Sequence, residues 1–293
     1  MTILELMVAS TIALFIVGMT VSTTVVNRDA YGYDIVRTRL NQNLRSAFDV
    51  INTEVRQAGE RLPGSFPAIE IVDGASGAPD TLILRRNLLD EVLTVCQTLT
   101  TASGPDVYLT SSAAGTPPVC VFGTQTANFN AWHSYRIGSA GGTSHVVRSY
   151  IFDFTTKLGQ FFNYSSDNTS GTTQTIRKQS GSWAGTYTGL SASVYMLSEW
   201  KFQLSTTPGS EDLLQLVENQ DTANPKNVVY GVKNIQFRAL MQDGTSKTTF
   251  TKNDNWSQIR AIEVTISGSD KFRDRVIDST LTTQLFPRNV LSN

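Results

Sequence analysis

From Met1 to Asn27 the chain carries one ionisable side chain, Glu5, and Arg28 is its first basic residue. As a helix this run extends about 40 Å at about 1.5 Å per residue, enough to cross the roughly 30 Å hydrocarbon core of a bilayer. A secretory signal would open on basic residues and end at a small-residue cleavage site. This run opens without a basic residue and continues into a polar helical pattern, which fits a signal peptide poorly.

Beyond Arg28 the apolar residues narrow to one stripe. Tyr33, Val36, Leu40, Leu44, Phe48, Ile51 and Val55 follow at three- and four-residue steps, with Arg37, Asn41, Arg45, Asp49 and Arg56 among the polar residues between them. That is the helical period with one buried face. Gly59 and Pro63 then supply a stop. The pattern predicts one helix of more than fifty residues, apolar on all sides over 1–27 and amphipathic over 28–59.

A carboxylate inside an apolar run costs several kcal/mol unless neutralised or paired. Two readings of Glu5 stand open. It either pairs with an amine at similar depth, such as the α-amino group of Met1 in a neighbouring staggered subunit, or it sits near the membrane interface, protonated or snorkelling.

The opening MTILELMVASTIALFIVGM resembles the start of a mature type IV pilin from which prepilin peptidase has removed a leader, with Glu5 at the family's glutamate position. The family usually begins with an N-methylated Phe, and Met1 departs from that. The stretch RLNQNLRSAFDVINTEVRQAGE resembles PilW-type pilins, with Arg56, Ala58 and Gly59 at an Arg-x-Ala-Gly position. Weaker similarity continues through PDTLILR and IRAIEVTISG. The resemblance implies an α+β ladle, with residues 1–59 as a membrane-born handle and 60–293 as a β-rich extracellular head. It implies assembly into a homo-oligomeric helical filament from the inner membrane, handled by prepilin peptidase and pilus machinery and displayed at the bacterial cell surface, where such fibres serve adhesion or motility. Met1 and Glu5 would be the assembly residues.

After Pro63 the helical period disappears, and short apolar or alternating runs predict strands at 81–85, 146–154, 193–204, 227–240 and 259–267. VRSYIFDFTTKLGQFFNY predicts a hairpin turning near Lys157 to Gly159, with Tyr150, Phe152 and Phe154 on one face and Ser149 and Asp153 on the other. Cys96 and Cys120 are the two cysteines, without metal or redox spacing. A structural disulfide suits an exported β-domain better than two separate buried thiols. The segment 163–190, rich in Ser, Thr, Gly and Asn, reads as a loop. It holds the glycan-acceptor patterns at Asn163 and Asn168, and Asn255 begins a third; in a bacterial chain such patterns commonly stay unmodified.

The sequence contains no nucleophile elbow, zinc-protease helix, P-loop or dinucleotide fingerprint. The expectation is a protein that is not an enzyme, with no cofactor and no metal. His133 and His145 read as structural side chains, and 218–221 and 253–255 as solvated turns rather than calcium loops. With 24 basic and 25 acidic residues dispersed along the chain, nothing indicates a nucleic-acid partner. The rivals to a structural filament subunit are a minor or priming pilin, a type II secretion pseudopilin, and a membrane-anchored periplasmic enzyme or binding protein.

Overall fold

The computed structural model describes residues 2–113, 115–139, 146–205 and 213–291. Helix α1 runs unbroken over Ile3–Gln57, 55 residues and about 80 Å of rise. Its second half packs as the periodicity predicts: Val36, Leu40, Leu44, Ala47, Ile51, Val55 and Ala58 are buried, with Tyr33 and Phe48 partly so. The helix ends where Gly59 turns at a φ of 79°. Asn289 Nδ2 donates to the carbonyls of Gln57 and Ala58, satisfying two of the groups that a helix end leaves open.

The remainder is β-rich, so the chain is α+β. In chain order the strands are β1 (Ile69–Val72), β2 (Thr81–Asn87), β3 (Leu93–Thr94), β4 (Asp106–Tyr108), β5 (Val147–Asp153), β6 (Leu158–Ser170), β7 (Thr173–Lys178), β8 (Ala192–Tyr195), β9 (Leu197–Leu204), β10 (Leu213–Glu218), β11 (Lys226–Tyr230), β12 (Val232–Met241), β13 (Ser246–Lys247), β14 (Ile259–Phe272) and β15 (Arg275–Leu285). They form three antiparallel sheets with orders β1-β2-β9-β10-β11, β13-β12-β14-β15 and β3-β8-β5-β6-β7-β4.

Two of the predicted strands are each two strands in different sheets. The run 193–204 is divided at Met196, β8 joining the six-stranded sheet and β9 the five-stranded one. The run 227–240 is divided at Gly231, whose φ of 79° turns the chain from β11 into β12. Apolar alternation continues through both corners, so periodicity does not reveal them.

The cores explain a further difference. One cluster joins the α1 stripe to the five- and four-stranded sheets and to Tyr150, Phe152 and Phe161 on one face of the six-stranded sheet. A second lies on that sheet's other face, around Ile151, Phe162, Tyr164, Trp132 and Trp183. Strand β5 is therefore buried on both faces. Ser149 and Asp153 lie on the face expected, but that face is interior. The hairpin closes at Asp153 opposite Leu158, slightly earlier than expected, with Lys157 at a φ of 53°.

Two expectations fail. A second helix, α2 (Thr126–Ser139), follows Pro63 although no helix was expected there. Its buried side chains, Phe129, Trp132 and Arg136, do keep helical spacing, but the third is charged and Thr, Asn and Ser are frequent among the residues around them. The 163–190 segment is not a loop throughout, since much of it is the β6–β7 hairpin. Its Ser/Thr-rich composition suits an exposed sheet surface as well as a turn.

Candidate functional site: the exposed half of helix α1

Among the described residues, the large apolar side chains of the opening run stand clear of the head. Ile3 is 83% exposed and Leu14 72%, and Leu4, Leu6, Met7, Phe15, Ile16, Val17 and Met19 are likewise exposed. One N-terminal helix is thus long and apolar enough to cross a membrane, and its apolar part contributes nothing to the head's core. Among the described residues the head packs no core against this surface.

The polar side chains within the run do not interrupt the helix. Ser10 and Thr11 donate to the carbonyl of Met7, Thr20 to Ile16 and Val17, Thr23 to Met19 at 2.9 Å, and Thr24 to Thr20 at 2.8 Å. These hydroxyls are satisfied within their own helix, which makes them compatible with an apolar surrounding. Met1 lies outside the described residues, as does the side chain of Glu5.

Where the apolar run ends, the head reaches back along the helix. The tip of the β14–β15 hairpin lies beside it: Arg273 Nη1 donates to Asp29 Oδ2 at 2.7 Å, and the Phe272 ring occupies the space that a side chain at Gly32 would need. Arg39 Nη2 donates to Asp270 Oδ2 at 2.5 Å. Sequence reasoning missed these partners because they are separated from the helix by 231 to 244 residues.

Cys96 and Cys120 form a disulfide with 5.7 Å between their Cα atoms. It ties the segment leading into α2 to the six-stranded sheet. Asn168 and Asn255 are exposed, while Asn163 is half-buried and hydrogen-bonded to Arg148 and Gln179. His133 Nδ1 lies 2.7 Å from Asp167 Oδ1; His145 lies outside the described residues.

Asp167 is a polar centre that the sequence reading overlooked. Besides His133 it receives Arg136 Nε at 2.9 Å and the Tyr164 hydroxyl, joining α2 to β6. Burial opposes its charge, but the donors from Tyr164, His133 and Arg136 win and hold its carboxyl below the ordinary range. A second buried group joins Arg85 to Glu199, at 2.6 Å from its Nε, and to Glu70. Burial disfavours the guanidinium charge, yet the two carboxylates more than offset it and raise its pKa.

Glu218 pairs with Lys226 at 2.7 Å and both oxygens of Asp221 accept from Asn224. Asp254 accepts from Lys247 and from the Thr251 backbone and hydroxyl. Each acidic side chain of the two turns thus accepts from at least one protein donor. Among the described residues no three His, Cys, Asp or Glu side chains group as metal ligands. Comparison with protein families, with curated proteins and with solved structures finds no match.

Proposed function

We propose that the chain is the structural subunit of an extracellular type IV pilus-like filament, held in the inner membrane by the apolar half of α1 and polymerising through it. The observation that carries this reading is the division of one unbroken helix. One stripe of its second half is buried in the head, whereas its first half is apolar on every side and, among the described residues, uncovered.

Such a half-helix needs an apolar surrounding. Burying on the order of 1,000 Å² of it at about 25 cal/mol/Å² is worth roughly 25 kcal/mol against water. Exchanging lipid for like helices is nearly neutral in hydrophobic terms, because lipid tails are as apolar as the side chains. Packing in the bundle then sets the preference for assembly, and the distance from water makes the fibre hard to dissociate.

Shearing surface fibres from producing cells and identifying their dominant polypeptide tests the proposal. The expected result is this chain as the main component, and its loss from the sheared fraction, with retention in the membrane, for Glu5→Ala. Finding it at trace level in fibres built of another chain supports the minor-subunit alternative. A chain that remains in the membrane and never enters fibres overturns the filament reading in favour of an anchored protein.

A further inference from the structure

The β14–β15 hairpin tip stands at the level on α1 where the apolar run gives way to charge. Arg273 reaches Asp29, one residue past Arg28, and Phe272 packs at Gly32. Arg275 shares a groove of about 370 Å³ with Val26, Ala30 and Tyr33. Along a helix, residues 26 to 33 span only about 10 Å. If the C-terminal end of the apolar run, near Asn27, marks the edge of the hydrocarbon, the tip stands at the headgroup layer.

Its chemistry matches that layer. Tyr31 is 69% exposed and Val276 53%, and the Phe272 ring is partly buried between tip and helix. Tyrosine is enriched at the membrane interface, where its polar tip and apolar ring are both accommodated. Arg28, Lys271 and Arg275 are exposed and form no ion pair among the described residues. Of the acids nearby, Asp29 is paired with Arg273 and Asp270 with Arg39, which leaves Asp34 and Asp274 against the three unpaired cations.

We infer that the β14–β15 hairpin tip, together with Arg28, forms a membrane-surface collar that binds anionic phospholipid headgroups before assembly. The inference rests on the membrane-held state in the proposed function. In that state the collar anchors the head against the bilayer at a second point, fixing its tilt, and the contact has to be broken when a subunit leaves the membrane.

The test places single nitroxide labels on the full chain, with the native disulfide intact, in vesicles of phosphatidylcholine alone or mixed equally with phosphatidylglycerol. Labels go at Leu14→Cys, Val276→Cys and, as an aqueous reference, Thr53→Cys. The expected depths are hydrocarbon for residue 14, the phosphate layer for residue 276 and water for residue 53. Phosphatidylglycerol should also be enriched beside the protein, and the combined Arg28→Gln, Lys271→Gln, Arg275→Gln variant should lower its association constant relative to phosphatidylcholine by at least about fivefold, the effect of one surface cation of about 1 kcal/mol. The single Lys271→Gln variant gives a smaller loss in the same direction and serves if the triple variant misfolds.

Residue 276 in water while residue 14 is in hydrocarbon overturns the collar and leaves the membrane-held helix standing. Both in water overturns the membrane-held state itself. Headgroup depth without phosphatidylglycerol enrichment overturns the anionic recognition.

Discussion

Trp256 lies against Gly59 so closely that a β-carbon at residue 59 would overlap the indole ring. Two requirements meet at this glycine. Its φ of 79° ends α1, and its bare Cα admits the ring that closes the helix end, whose Nε1 donates to the carbonyl of Pro63. Gly59→Ala should destabilise the protein by about 3 kcal/mol, combining left-handed strain with overpacking. Denaturant unfolding checks this, and a loss under about 1 kcal/mol would show that the ring is free to move aside.

Arg85 pairs with both the buried Glu199 and the half-buried Glu70, and its Nη1 also donates to the carbonyl of Pro67. Removing it strands Glu199 in the interior. Arg85→Met should therefore cost about 3 to 5 kcal/mol. Adding Glu199→Gln and Glu70→Gln should recover part of the loss, and unfolding free energies of the single and combined variants measure that coupling.

Two carboxyls predict the acid limb of stability. Asp153 is buried, and burial raises its pKa, but donation from the backbone of Thr188, Thr156 and Thr155 outweighs this and leaves it lowered. Asp167 is lowered in the same sense. A lowered folded pKa contributes stability that is present above the unfolded value of about 4 and is lost as pH falls through the folded value. Stability should hold near neutrality and decline below about pH 4, and Asp153→Asn or Asp167→Asn should flatten that decline. Thermal unfolding across this range decides it; an unchanged slope would mean that neither group contributes.

The Cys96–Cys120 bridge closes a loop with a sequence separation of 24. Replacing both cysteines with serine should cost about 3 kcal/mol. Because α2 follows directly, its amides should lose hydrogen-exchange protection before those of the α1 stripe do. Equal loss in both would show that the head unfolds as one unit.

The segment 18–24 poses a question about assembly. In the single chain it is helical, its threonine hydroxyls turned back on preceding carbonyls. Gly18 and the β-branched residues that follow carry a helix deficit of several kcal/mol, at about 0.5 for each and about 1 for glycine. Lipid suppresses that deficit because no other donors are present. In a filament, with neighbouring chains offering alternatives, we expect this segment to lose helical geometry and lengthen the handle. A side-chain-resolving filament map checks it, and a continuous rise of about 1.5 Å per residue through the segment would refute it.

Helix α1, its exposed and buried halves and the β character of most of the remainder were legible in the sequence. These are periodic properties, written in neighbouring residues: Val36, Leu40 and Leu44 declare a stripe without reference to anything distant. What only the tertiary structure decided depends on neighbours far along the chain. Strand β5 is interior on both sides, so Ser149 and Asp153 are buried although alternation gives them the polar face. The α2 helix is held by Phe129, Trp132 and Arg136, the last through Asp167 of β6, and a charged residue on a buried face hides the period. The hairpin tip meets Asp29 from 244 residues away. Local pattern specifies what each segment is able to bury, whereas the surface against which it is buried is set by chain closure, which no short window of sequence contains.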